Sequence, residues 1–215
     1  MRILLAGSLE PGQILGDTAE LLRLDVATRA STPQGWASGP DLVWTGRGLV
    51  PLPITINTPF VGIGDALHIA AGPDFRIRVL EAEKLLEVYG VARPRRSVTR
   101  DAIETYTEFY TRAIDDPEQR REYLSGMDHP GRPELLPGYD QILLADDGNV
   151  WAQVYWPDLL APATWDVFAA SREWLGQVRT PEGFSVSAIA GGHLVGVWRD
   201  TLGMEYVRVY RLAEE

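Results

Sequence analysis

Hydrophobic and polar positions alternate along much of the chain, which predicts a protein built mainly of β-strands. In four segments a charged residue stands between apolar ones, and the middle two continue through a short polar turn into another strand. These segments are residues 20–26, 75–91, 164–181 and 205–212.

A second pattern, an apolar strand, a small polar turn and another apolar strand, occurs three times. Its copies span residues 61–72, 141–156 and 186–198. The turns at Gly148 and Gly192 lie about 44 residues apart, which is within the period of a four-stranded propeller blade. The first copy precedes the second by about twice that distance, so the pattern predicts an insertion between them.

The predicted insertion, residues 97–137, is the helical part of the chain. Thr99 is placed to cap a first helix whose apolar residues recur at helical spacing. Asp116 and Pro117 then open a second helix as its N-cap and first helical residue. We expect that helix to end near Gly126, so that the two helices form a hairpin.

Residues 30–57 are rich in Gly, Pro, Ser and Thr, and only two stretches there, DLVWTG and LVPLPITIN, have an extended pattern. Pro51 and Pro53 favour an edge or innermost strand, because proline has no N–H to donate to a neighbouring strand.

Composition limits the classes of function. The chain has 215 residues, 45% of them hydrophobic, and a formal net charge of -10, which fits an acidic globular protein. We expect no nucleic-acid partner and no anionic membrane partner, since this charge repels both. The absence of cysteine excludes disulfides, thiolate metal sites and cysteine nucleophiles. No apolar run approaches the roughly 18 residues of a membrane span, and the N-terminal one lacks the features of a cleaved signal peptide.

Strand, turn, strand, loop, strand, turn, strand is the order of elements in a four-stranded propeller blade. On this pattern the chain resembles six-bladed β-propeller proteins of the NHL/TolB-like group, in particular uncharacterised bacterial ones, from about Asp17 to the C-terminus. The stretches that carry the resemblance are DDGNVWAQVYWP, TWDVFAASREWLGQVRTPEGF, GHLVGVWRDTLGMEYVRVYRL and RSVTRDAIETYTEFYTRAIDDPEQRREYL. The resemblance implies a scaffold and no particular reaction, and related full-length propellers are often exported.

We therefore predict an all-β, partial β-propeller of about three and a half four-stranded antiparallel blades with a helical hairpin insertion. Within a single domain, 1–215, the predicted units are a partial blade (1–28), a blade (41–83), a blade that contains the insertion (84–170) and a final blade (172–213). A partial ring leaves unpaired strand edges. We consider three arrangements: self-association that closes the ring, missing blades from a longer gene product, or an open array of blades.

Asp146 and Asp147 place two carboxylates beside an alternating aromatic strand. Asp-Gly and Gly-Asn between strands predict a hairpin turn, because Gly and Asn tolerate positive φ, and the spacing does not fit a calcium loop. The three histidines share no metal-ligand spacing, and no nucleophile elbow, P-loop or dinucleotide-binding motif is present. We predict no catalytic residue, no metal site and no cofactor.

The remaining candidates are residues that could bind a ligand or a protein partner. The arginines of ARPRRSVTRD suit an anionic group, or they pair with Glu104, Glu108 and Glu118 and hold the insertion in place. A histidine in an irregular loop and two tryptophans at strand ends beside aspartates complete the set. The candidate binding residues are Arg93, Arg95, Arg96, His129, Trp156, Asp158, Trp198 and Asp200.

Two hypotheses of function follow. The first is a non-enzymatic propeller segment that binds an unknown small ligand or protein through its loop face and insertion. The second is a metal-dependent hydrolase or lactonase-like propeller enzyme with a cation in its channel. If LVPLPITIN, KLLEVYGV and EWLGQV are the innermost strands, that channel offers only Asn57, Glu87 and Gln177.

Overall fold

The computed structural model describes residues 9–55, 57–112, 114–125, 129–158, 160–200 and 202–212. In these residues the protein is all-β, with four antiparallel sheets and a small helical insertion between the second and third sheets. The predicted fold class is confirmed. The predicted first strand, residues 2–8, and the predicted helix end at Gly126 lie outside the described residues.

Each sheet is built from strands that are consecutive in the chain. Sheet 1 contains β1 (Ile14–Leu24), β2 (Ser31–Trp44) and β3 (Leu49–Pro51). Sheet 2 contains β4 (Phe60–Ile63), β5 (Ala66–Ile69), β6 (Arg76–Glu81) and β7 (Lys84–Gly90). Sheet 3 contains β8 (Tyr139–Leu144), β9 (Val150–Val154), β10 (Thr164–Phe168) and β11 (Trp174–Arg179). Sheet 4 contains β12 (Phe184–Ala190), β13 (His193–Arg199) and β14 (Glu205–Arg211).

The sheets end one strand later than the predicted blades. The predicted division between residues 83 and 84 falls inside sheet 2, because Glu81 pairs with Lys84 across a tight turn. The division near residue 171 falls inside sheet 3 for the same reason, since Phe168 pairs with Trp174. The first turn has two residues and the second has five, and each joins adjacent antiparallel strands of one sheet, so neither turn separates two blades.

The first strands of sheets 2, 3 and 4 lie innermost, because β8 packs against both β4 and β12. In contrast, β7 and β11 form the opposite edges of sheets 2 and 3 and leave Leu86 and Leu175 more than half exposed. The assignment of KLLEVYGV and EWLGQV to the innermost position is therefore wrong. The stretch LVPLPITIN contributes β3, which is also an edge strand.

β2 is a 14-residue strand that the sequence pattern does not predict in full. β1 pairs along it with two register shifts, whereas β3 pairs only with residues 42–44. Next to these, Asp41 and Ser38 accept hydrogen bonds from the backbone of Leu52 and Thr58. Among the described residues, this edge of β2 therefore lacks a partner only over residues 31–37, a stretch that includes Pro33.

Apolar side chains pack between neighbouring sheets. One buried cluster joins sheets 2 and 3 through residues that include Phe75, Ile77, Tyr139 and Phe168. A second joins sheets 3 and 4 through residues that include Trp151, Trp165, Phe184 and Leu194. Blades of a propeller pack face to face in this way, so the order of the three sheets is propeller-like.

Two helices, α1 (Arg100–Thr111) and α2 (Pro117–Ser125), form the predicted insertion. The Thr99 side chain accepts a hydrogen bond from the Ala102 N–H at 3.2 Å, and Asp116 accepts one from the Glu118 N–H at 2.8 Å. Both predicted N-caps are confirmed.

The paired carboxylates between β8 and β9 belong to the predicted hairpin turn. Gly148 has a φ of 83°, and the Asn149 N–H donates to the Asp147 carboxylate at 2.9 Å. Asp146 accepts a hydrogen bond from the Gly191 N–H at 2.8 Å, which connects this turn to the turn between β12 and β13. Both carboxylates are therefore engaged by backbone groups.

Candidate functional site

Arg93 follows β7 and binds a buried carboxylate of sheet 3. Its two terminal nitrogens donate to the two oxygens of Asp166 at 3.2 and 3.0 Å. The guanidinium carbon lies 4.6 Å from the centre of the Phe75 ring, a cation–π distance. Arg93 thus connects the end of sheet 2 to the middle of sheet 3.

Asp166 on β10 is fully buried and accepts hydrogen bonds from three further side chains. The Tyr139 hydroxyl lies 3.0 Å from Oδ2, and the Trp174 indole and Gln177 amide lie 3.3 and 3.0 Å from Oδ1. Burial and the adjacent carboxylate raise the pKa of Tyr139, so it remains a donor at neutral pH. This network connects the two sheets and engages both terminal nitrogens of Arg93 within the protein.

Arg95 and Arg96 are also engaged within the protein. Arg95 donates to Asp74 at 2.7 and 3.1 Å, and that hydrogen bond holds the Asp74 pKa below its usual value. Arg96 donates through Nη2 to the carbonyl oxygens of Pro137 and Tyr155 at 3.0 and 2.8 Å. The expected pairing with glutamates of the insertion is found only between Arg100 and Glu104 among the described residues, since Glu118 pairs with Arg47.

His129 and the aspartates of the candidate set stabilise loops. His129 Nδ1 accepts from the Gly131 N–H at 3.1 Å, so Nε2, 3.0 Å from the Gly12 carbonyl oxygen, is the protonated nitrogen. Asp158 accepts from the Leu160 N–H at 2.8 Å, and Asp200 accepts from the N–H groups of residues 202 and 204. These are turn hydrogen bonds, as short polar side chains commonly form.

The two candidate tryptophans differ in their surroundings. Trp198 donates to the Glu182 carbonyl oxygen at 3.0 Å and is covered by Arg208, whose guanidinium carbon lies 3.6 Å from its ring. Trp156 is 49% exposed and lines a cavity beneath the insertion. Of the eight candidates, Trp156 alone belongs to that cavity.

The cavity, which we call the Asp140 pocket, has a volume of about 160 Å³ and lies between α1, the residues before β4, the start of β8 and the residues after β9. A small apolar cluster attaches α1 beside it, through Ala102, Tyr106 and Ile54. Three tyrosines, a tryptophan, a carboxylate and an amide converge there. The pocket is lined by Ile54, Thr55, Asn57, Tyr106, Tyr110, Asp140, Tyr155, Trp156 and Pro157.

Ile54 at the pocket wall has an unusual backbone conformation. Its φ is 57°, a left-handed value that is strained for a β-branched residue, and its side chain is 2% exposed. Strain of this kind persists where surrounding structure fixes it, and it is concentrated at functional sites. Here the Ile54 backbone hydrogen-bonds to the Tyr106 side chain of α1.

Burial shifts the pKa of the titratable groups of the pocket upward. The Asp140 carboxyl is partly buried, and desolvation alone raises its pKa above the usual value. Burial also raises the pKa of Tyr110 to about 12, and the pKa of both Tyr106 and Tyr155 above its ordinary range. The three hydroxyls are therefore neutral at pH 7, where they can donate and accept hydrogen bonds.

The residues predicted to hold a cation in the channel do not lie together. Among the described residues, no group of three or more His, Asp or Glu is placed to hold a metal ion. The three residues expected in a channel are on different elements with different neighbours: Asn57 lines the pocket, Glu87 pairs with Arg172, and Gln177 binds Asp166. The arrangement that the hydrolase hypothesis requires is not formed by these three side chains.

The sequence contains only a weak signal for this pocket. Tyr106 and Tyr110 lie four residues apart, which places them on one face of α1, and Asp140 is the charged residue of β8, near its start. Their convergence with residues 54–57 depends on the tertiary structure.

Comparison with known proteins adds no family. No protein-family model matches the chain, and no curated protein is significantly similar to it. In the described parts of the chain, the helices are too short and too polar to cross a membrane.

Proposed function

We propose that the chain is part of a six-bladed β-propeller of the NHL/TolB-like type and serves as a non-enzymatic scaffold that binds a small ligand. The order of strands within sheets 2 and 3 and the packing of β8 between β4 and β12 support the propeller assignment.

The observation that carries the binding function is the Asp140 pocket. Binding sites are concave, largely aromatic or apolar, and contain a few convergent polar groups. The Asp140 pocket combines four aromatic side chains with the polar groups of Asp140 and Asn57. In a larger cavity of about 340 Å³ beside β1 and β4, two of the three charged residues, Arg23 and Asp65, already pair with each other. We therefore place binding at the smaller, more polar pocket.

The test is a thermal-shift comparison of the wild-type chain with a variant whose pocket is filled. A panel of amines, carboxylates, sugars and phosphate esters is added at fixed pH and ionic strength. Asn57→Trp places a bulky ring at the pocket wall, and Glu81→Trp, at the exposed turn between β6 and β7, is the matched control. We expect at least one compound class to raise the Tm of the wild type and the control but not of Asn57→Trp. A panel without effect, or an equal response of Asn57→Trp, would contradict the proposal.

We also propose that the chain supplies only part of the propeller ring. Sheet 4 has three strands in the described residues where sheets 2 and 3 have four, and its edge strand β14 exposes Val207 and Val209. An exposed apolar edge favours pairing with another strand, supplied by a second copy or by further blades. Light scattering on the purified chain measures this: a dimer supports closure by self-association, and a monodisperse monomer at all concentrations contradicts it.

A further inference from the structure

We propose that the Asp140 pocket binds the ammonium group of a small organic cation. The inference rests on the proposed binding function and names the chemical class of the ligand. It follows from the charge, the aromatic walls and the size of the pocket.

The charge of the pocket is negative and uncompensated. Among the described residues, no donor lies within hydrogen-bond distance of the Asp140 carboxylate and no cation lies within 4.0 Å of it, whereas the more buried Asp166 and the more exposed Asp74 each bind an arginine. Arg96, which contacts the pocket residue Tyr155, directs Nη2 to the backbone carbonyls of Pro137 and Tyr155 and not to a carboxylate. A partly buried carboxylate without a partner is costly, and a bound cation would offset that cost.

The aromatic residues supply the second requirement for an ammonium ligand. Tyr110 and Trp156 are 39% and 49% exposed, so their rings are accessible from the pocket mouth, while Tyr106 and Tyr155 are 8% exposed and form its base. Tyr106 and Tyr110 have ring centres 4.3 Å apart and act as one wall. Aromatic faces attract cations, most strongly those of tryptophan and tyrosine, and sets of such residues recognise quaternary ammonium groups.

The size of the pocket limits the ligand. Its volume of about 160 Å³ is below the roughly 300–1,000 Å³ of sites that enclose a whole drug-sized molecule. The pocket therefore accommodates a compact head group, with any longer substituent extending past the exposed ring of Trp156. Choline is a suitable probe because it carries a trimethylammonium group on a short chain.

The test compares choline chloride with its uncharged carbon isostere, 3,3-dimethylbutan-1-ol, by calorimetric titration of the full chain in buffer whose ionic strength is held constant with sodium chloride. We expect choline to bind at least about tenfold more tightly than the isostere, since the two differ mainly in charge. Asp140→Asn is expected to weaken choline binding at least tenfold. Asp115→Asn, which removes an exposed carboxylate of the same insertion and changes the net charge equally, should leave it unchanged.

A second variant separates the aromatic contribution from charge. Tyr110→Leu keeps the carboxylate but removes an accessible ring, and we expect a weaker affinity for choline with an unchanged affinity for the isostere. Equal binding of choline and the isostere, or an Asp140→Asn variant that binds choline like the wild type, would overturn the inference. If choline fails while another compound class stabilises the wild type but not Asn57→Trp, the ammonium assignment is wrong and the binding function stands.

Discussion

Replacement of Asp166 by asparagine tests whether the ion pair with Arg93 stabilises the arrangement of sheets 2 and 3. The substitution preserves side-chain shape but removes the charge of a fully buried carboxylate that accepts five hydrogen bonds from four side chains. An asparagine amide has its own N–H groups, which would face donors, so at least one buried donor would lose its partner.

The expected loss follows from the burial of the two charges. Removal of one partner from a buried ion pair typically costs about 3–5 kcal/mol. The Arg93 side chain is 26% exposed, so water can partly hydrate it when its partner is removed, and we expect the lower end, about 3 kcal/mol. Asp74→Asn is the matched control, because Asp74 also binds an arginine but its side chain is 44% exposed, and its loss should cost at most about 1 kcal/mol.

Urea denaturation monitored by tryptophan fluorescence measures both free energies of unfolding, and equal m-values would make the comparison valid. Arg93→Met and the double variant complete a mutant cycle, in which we expect a coupling energy above about 1 kcal/mol. The reasoning is refuted if the free energy of unfolding of Asp166→Asn lies within about 1 kcal/mol of the wild-type value, or if Asp166→Asn is no less stable than Asp74→Asn.

Three further predictions concern other parts of the molecule. Burial lowers the pKa of His68 from 6.5 to about 4, so the unfolded state binds more protons than the folded state between these values. The contribution of His68 to the free energy of unfolding should be constant above pH 6.5 and fall by up to about 3 kcal/mol towards pH 4. In urea titrations at several pH values, His68→Gln should remove this pH-dependent contribution. Gly196→Ala should lower the free energy of unfolding by about 2 kcal/mol, because the new methyl group would overlap the Ser185 carbonyl oxygen and the Phe184 ring. Gly62→Ala is the control and should lower it by less than about 1 kcal/mol, since no atom lies within 4 Å of the new methyl group. Equal Tm values for the two variants would contradict this prediction. Choline affinity should decrease as the pH falls through the raised pKa of Asp140, because protonation removes the charge, and a flat pH profile in calorimetry would count against that assignment.

Local patterns predicted those parts of the fold that local interactions determine. The hairpin turn at Gly148 and the caps at Thr99 and Asp116 were predictable because each uses backbone groups a few residues away. The inner position of β8 was not, because alternation in a strand indicates that one face is buried but not against which sheet. The full length of β2 was also missed, since its Gly, Pro, Ser and Thr residues interrupt the alternation that marks a strand.

The candidate site was predictable only in part. Trp156 lies in the Asp140 pocket, but the arginines, which are conspicuous in an acidic sequence, are bound to carboxylates and carbonyl oxygens of their own protein. Asp140 is inconspicuous among 30 acidic residues, and its lack of a partner is a property of the tertiary structure. A sequence indicates which charges exist, whereas the fold decides which of them remain unpaired.

The two ends of the helical insertion meet at the bridge between Ser97 and Leu135. A segment whose ends are adjacent can be exchanged for another of different length without moving the strands that flank it, as in domain insertion and circular permutation. Since α1 supplies Tyr106 and Tyr110, exchange of this segment would rebuild one wall of the Asp140 pocket while β7 and β8 keep their places. Under the proposed binding function, the insertion is an exchangeable wall of a pocket whose other residues belong to the scaffold.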